Sequence, residues 1–175
     1  HSHGIRLDNA FDGVPGVTQK EVGVGESFSY TIRFPDTGIY WYHPRIREDY
    51  AQELGLYGNY LVTPADTAYW NPVNRETALF LDDILIDGDA IVPFDKTQAN
   101  RTLMGRFGNI MLINGEDDYV LEVKKGEVVR FYMTNAANVR PFRFAIAGTK
   151  IKLVGGDSGA YEKEAWAESV VLGPS

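Results

Sequence analysis

The chain of 175 residues carries 24 acidic and 17 basic side chains, a formal net charge of −7. That balance argues against nucleic acid as a partner, because phosphate backbones are met by basic patches. It has no cysteine, which excludes disulfides, thiolate catalysis and any sulfur-ligated copper or iron site within the chain, and no apolar run is long enough to span a bilayer.

Eighteen glycines, ten tyrosines and nine phenylalanines lean toward a β-rich fold with many turns. Residues 27–34 alternate, with Phe28, Tyr30, Ile32 and Phe34 on one face and Ser27, Ser29, Thr31 and Arg33 on the other. Period two predicts a half-buried strand. Pro35-Asp36-Thr37-Gly38 reads as a turn, and residues 39–43 as the next strand, so the two predict a hairpin in which Ile39, Trp41 and His43 share a face. Residues 47–54 predict a short helix stopped by Gly55, and residues 56–62 return to strand.

The polar, proline-bounded crossing from Pro64 to Pro72 predicts a domain boundary, giving units 1–64 and 65–175. Short strands are predicted at 77–81, 119–123, 128–134, 141–147, 150–154 and 169–172. Their breakers are Asn114-Gly115, Lys125-Gly126, Gly148 and Gly155-Gly156. Strands at this spacing predict an all-β sandwich architecture. Tyr69, Trp70 and Trp166 are read as core or interdomain packing. The acidic runs Asp82-Asp83 and Glu116-Asp117-Asp118 are read as solvated turns without the ligand spacing of a calcium loop.

The chain has three histidines. His1 and His3 stand at i and i+2, so in a strand both imidazoles leave one face, and Gly4 permits close approach. His43 is the third. Neutral imidazole suits copper, zinc, iron and nickel, and three from two strands can bind one ion if the strands are neighbours.

The surrounding motifs carry a resemblance. His1-Ser2-His3-Gly4, Asp12-Gly13, Thr18-Gln19, Gly25, Phe28, Tyr30, Gly38-Ile39-Tyr40-Trp41-Tyr42-His43-Pro44 and Gly55-Leu56-Tyr57-Gly58 come in order. They resemble the first domain of the laccase-like multicopper oxidases. Leu103-Met104-Gly105-Arg106-Phe107-Gly108-Asn109, Ile113-Asn114-Gly115, Val129-Arg130-Phe131, Asn135-Ala136-Ala137-Asn138 and Gly155-Gly156-Asp157-Ser158-Gly159 resemble that family's second domain. The resemblance implies two cupredoxin-like Greek-key β-sandwich domains, the first truncated at its N-terminus and the second without copper ligands.

It also implies an oxidoreductase that oxidises a donor, a small molecule or a metal ion, and reduces O2 to water at a trinuclear copper cluster. Carried over by motif, His1 resembles the type 2 copper ligand, and His3 and His43 resemble two ligands of one type 3 copper. Asp12 stands where family members often have a carboxylate that assists proton delivery. Its plainer role is to form a turn before Gly13. The rest of the cluster and the type 1 copper are expected from a missing C-terminal cupredoxin domain or a neighbouring subunit, and the isolated chain is expected to be inactive. A periplasmic or extracellular location is implied.

One position departs from the pattern. The family motif is His-x-His, and Arg45 stands at its second histidine. A guanidinium has no lone pair to give and is always charged. Arg45 therefore marks an inactivating change, a reading error, or a side chain turned outward from an incomplete pair. The alternative function is a copper-free homologue acting as a protein-binding module.

Overall fold

The structure, a computed structural model, describes residues 1–94 and 105–174; Leu103 and Met104 of the motif above lie outside the described residues. Aromatic and β-branched residues fill a pleated surface well, and the run Gly-Ile-Tyr-Trp-Tyr makes the central strand of the first sheet. In chain order the sheet uses β1 (Ser2–His3), β2 (Gly38–Tyr42) and, after helix α1 (Glu48–Glu53), β3 (Gly58–Val62). The order is β1-β2-β3, antiparallel throughout, with Ser2 opposite Tyr42 and His3 opposite Trp41. Helix α1 is one short turn-and-a-half, stopped before Gly55 as its sequence predicts.

The rest is strand. β4 (Arg75–Ile84), β5 (Ile86–Asp87), β6 (Ala90–Ile91), β7 (Ile110–Ile113), β8 (Val129–Asn135), β9 (Phe142–Phe144), β10 (Ile151–Gly156), β11 (Gly159–Ala167) and β12 (Val170–Leu172) follow in order. β4 is central, antiparallel to β7 and parallel to β8. Its Leu79 and Leu81, with Ala136 and Ala137 beyond β8, are the most buried apolar residues here. β9 pairs with β12 and β10 with β11. The all-β expectation holds, and no helix among the described residues is long and apolar enough to cross a membrane.

The β10–β11 turn seats on the start of β2. Ile39 N donates to the Asp157 carbonyl at 3.2 Å. A Cβ on Gly38 would stand 2.0 Å from that same oxygen, so only glycine admits the approach. The strand that leads to His43 is thereby held at its far end.

Several expectations are corrected. Residues 27–34 do not form a strand, and the predicted hairpin is absent. Both edges of β2 are taken by β1 and β3, so residues 27–34 cannot pair with β2 as predicted, and Phe28, Tyr30 and Phe34 remain 39–44% exposed. Residues 119–123 are likewise not strand. β11 and β7 were not predicted. The sequence Tyr-Glu-Lys-Glu-Ala-Trp of β11 is too polar to show an apolar face, and it pairs at a sheet edge with β10. Trp166 is 68% exposed, with Lys152 over its ring, and is not core. Tyr69 and Trp70 do pack, edge to face on one another.

Asp82 and Asp83 are not a solvated turn either. Both lie in β4, 5% and 3% exposed. Asp83 Oδ2 accepts from Gly108 N and Arg140 Nε, each at 2.6 Å. Asp82 Oδ2 accepts from the Tyr57 hydroxyl at 2.7 Å. The neighbouring acids of Glu116 to Asp118 are exposed, as expected.

Burial pushes the Asp82 carboxyl up to about 6, the Asp83 charge adding and the Tyr57 hydrogen bond opposing. Burial and the same carboxylate hold the Tyr57 hydroxyl above its ordinary range. A raised acid pKa stabilises the fold below the unfolded value, near 4, and that stability is lost as pH rises toward 6. Two pKa units correspond to about 3 kcal/mol. Denaturant titrations of the wild type are expected to show this decline between pH 4 and 6, and Asp82→Asn to flatten it. An unchanged slope in Asp82→Asn would refute the assignment.

Candidate metal centre

The antiparallel register explains how the three histidines meet. The β1–β2 ladder continues one residue past its strand ends: His43 N donates to the His1 carbonyl at 3.1 Å, and His1 N donates to the His43 carbonyl at 2.9 Å. His1 therefore lies opposite His43, as His3 lies opposite Trp41. Residues directly opposite in an antiparallel pair share a face, and so do i and i+2. His1, His3, Trp41 and His43 are thus forced onto one side of the sheet, where the three imidazoles offer nitrogens all within 4.8 Å of one another.

Each ring is held. His1 Nδ1 donates to the Asp12 carbonyl at 2.7 Å. His43 Nδ1 donates to the Pro44 carbonyl at 3.1 Å. These bonds place the proton on Nδ1 and leave Nε2 as the lone pair in both rings, the tautomer that a ligating histidine needs. His3 Nδ1 faces His43 Nε2 at 3.3 Å. Two imidazole nitrogens, each about 2.0 Å from one ion at a tetrahedral angle, would stand about 3.3 Å apart. The donor set of this structure therefore fits a copper ion shared by His3 and His43, with His1 beside it. Trp41, 5% exposed, stacks on His43 at 4.3 Å between ring centroids and walls the inner side.

Burial lowers the pKa of His3, with the Arg45 charge second. Burial also lowers His43, against the opposing pull of the Pro44 hydrogen bond and Glu48. Both shifts favour the neutral ring that metal binding requires.

Asp12 reaches the site through its turn. A 3-10 turn at Asn9–Phe11, capped by Asp8, delivers Asp12 to Gly13. A Cβ at Gly13, whose φ is +81°, would meet the His1 backbone at 2.9 Å, so glycine lets the two segments touch. The Asp12 carboxylate Oδ2 then sits 3.4 Å from His1 Nδ1. The turn and the proximity coexist.

Arg45 is paired with Glu48 beside the imidazoles. NH1 donates to Glu48 Oε2 at 3.0 Å, and the side chain is one-third exposed. The other carboxylate oxygen of Glu48 is 3.4 Å from His43 Nδ1. Glu48 carried no motif in the sequence; an acid three residues after Arg45 is the signal that could have marked it.

Two family models, both described as multicopper oxidase, match residues 1–67 and 65–174. Among curated relatives, Laccase-1 of Thanatephorus cucumeris is 31% identical over 172 residues, 90% of this chain and 29% of that protein. An iron transport multicopper oxidase of Epichloe festucae is 29% identical over 98% of this chain and 28% of its own length. The chain therefore spans less than a third of the length of these two relatives. The crystal structure of a multi-copper oxidase from Pseudomonas thermotolerans superposes with a TM-score of 0.86 at 31% identity, covering 99% of this chain and 42% of that one. A second, from Pseudomonas parafulva, gives 0.85 at 32%. The likeness assigns the cupredoxin β-sandwich fold.

Proposed function

The chain belongs to the multicopper oxidase family, and from that premise we propose that it holds, on His1, His3 and His43, part of the trinuclear copper cluster of a laccase-like oxidase. The observation that carries the reading is the convergence of three imidazoles on one space. Residues 1–64 form the cupredoxin unit that bears these ligands, and residues 65–175 a second unit that bears none. His1 serves the type 2 copper, and His3 with His43 serve one type 3 copper. Bound there, copper would supply the electron transfer that takes O2 to water at the expense of a small-molecule or metal-ion donor.

The chain's own residues do the positioning. The carbonyls of Asp12 and Pro44 hold the Nδ1 protons of His1 and His43 and keep each Nε2 free as a donor. Asp12 Oδ2, next to His1, can take up and release a proton at the margin of the site. The remaining ligands and the type 1 centre come from a C-terminal cupredoxin domain or a neighbouring subunit. The 175 residues alone are inactive on laccase substrates, and the whole protein works in the periplasm or outside the cell.

A second reading is a copper-free relative that binds proteins. The observation favouring it is Arg45, a permanent cation beside the cluster. Metal analysis of the full-length protein separates the two. The first reading expects a full complement of copper, falling more than about tenfold in affinity in His3→Ala and in His43→Ala, since even partners of a ligand cost 10–100-fold. A protein that takes up no copper, or takes up the same in all three forms, sinks it.

A further inference from the structure

Glu48 divides its two carboxylate oxygens between the cation and the cluster. Oε2 accepts from Arg45 NH1 at 3.0 Å, while Oε1 lies 3.4 Å from Nδ1 of His43, a ring with no exposed side-chain surface. An Arg45–Glu48 pair on a surface is ordinarily worth about 0–1 kcal/mol of stability, and both partners are more than 30% exposed. Stability is therefore a weak reason for building it.

The backbone is nonetheless built to place Glu48 there. Arg47, just before α1, adopts φ +46°, ψ +53° with no capping side chain. That left-handed conformation is strained for a residue with a Cβ and persists where the surroundings enforce it. It folds the chain back so that the first helical residue returns over His43 and Arg45. The helix is then pinned from below. Gln52 Nε2 donates to the Ala136 carbonyl at 2.6 Å. Glu53 accepts from Arg106, Leu85 N and Asn138. Gln52 and Glu53 are 5% and 6% exposed, so the helix cannot shift without breaking buried polar bonds.

We propose that Glu48 is a positioning residue that restrains and neutralises the Arg45 guanidinium, so that a metal cation can occupy the imidazole cluster beside it. A metal ion brought next to an uncompensated guanidinium is repelled. The Glu48 carboxylate supplies the opposite charge at the same place and fixes the guanidinium's direction. The idea rests on the metal-site reading above.

A double-mutant cycle on metal affinity tests it, using Zn(II) alone as probe with a competing chromophoric chelator, on the full-length protein. Glu48→Gln keeps the shape and removes the charge, and is expected to weaken binding about 10–100-fold, the range for groups that act on a ligand. Arg45→Met is expected to hold or raise affinity. The double variant is expected to return close to the Arg45→Met value, because with the cation gone the carboxylate has nothing to neutralise. Thermal midpoints of all forms are expected to agree, which a structural role would not permit. Equal affinity in Glu48→Gln and wild type overturns the proposal. So does an equal loss on the Arg45→Met background, since Glu48 would then act independently of Arg45. If wild type binds no zinc, or binds it equally well in His3→Ala and His43→Ala, the metal-site reading falls and this proposal with it.

Discussion

Arg45→His is expected to raise the copper affinity of the cluster at least about tenfold, or about 1.4 kcal/mol, and to raise O2-coupled turnover of the full-length protein with it. Two changes act in the same direction. The substitution removes a charge that bears on both His3 and His43, and it adds a neutral donor two residues beyond His43. A guanidinium can do neither, having no lone pair and no accessible neutral form. Glu48 loses its cationic partner in the exchange and keeps its place next to His43. Copper per chain after desalting, and oxygen consumption with a phenolic donor, are the measurements. If the Arg45 form already holds as much copper and turns over as fast, Arg45 is no obstacle, and the account of position 45 is wrong.

The convergence of the three histidines was partly legible in the sequence. His1 and His3 share a face by period two, and His43 joins them through a ladder whose register follows from the strand pair. The motif order made the partner strand identifiable. Much of what stayed hidden was nonlocal. The alternation of residues 27–34 is a sound strand pattern, but β2, its expected hairpin partner, has both edges occupied. The pair Asp82-Asp83 looks like a solvated turn until Tyr57 and Arg140 are brought to it from 25 and 57 residues away. Glu48 looks like a helix-surface acid until the turn at Arg47 folds it back. For Asp82 and Asp83 the deciding partners lay outside any window that periodicity can read, whereas Glu48 depends on the left-handed backbone at Arg47, which periodicity does not report.

The same distance effect sets the largest stability prediction. Glu53 and Arg106, 53 residues apart, meet at 2.6 Å with side chains only 2% and 5% exposed. Arg106 also donates to the Val92 carbonyl at 2.7 Å and stacks over Phe94 at 3.7 Å. Glu53 in turn satisfies Leu85 N and Asn138 Nδ2. Both ions paid their desolvation on folding, so the intact pair adds little net stability, but removing one partner strands the other's charge. Arg106→Met is therefore expected to destabilise the chain by about 3–5 kcal/mol. Adding Glu53→Gln should recover part of that loss, because the buried charge is gone while an acceptor for Leu85 N remains. Denaturant midpoints of the two single variants and the double measure the coupling. The effect should reach the metal centre as well. With Glu53 unpaired, α1 loses a buried anchor and Glu48 its fixed station over His43 and Arg45. Zinc affinity should fall in Arg106→Met even at temperatures where the fold is intact. Additive losses in the double variant would show that the two side chains do not act as a pair. Full zinc affinity in a folded Arg106→Met would show that α1 holds its place without this bridge.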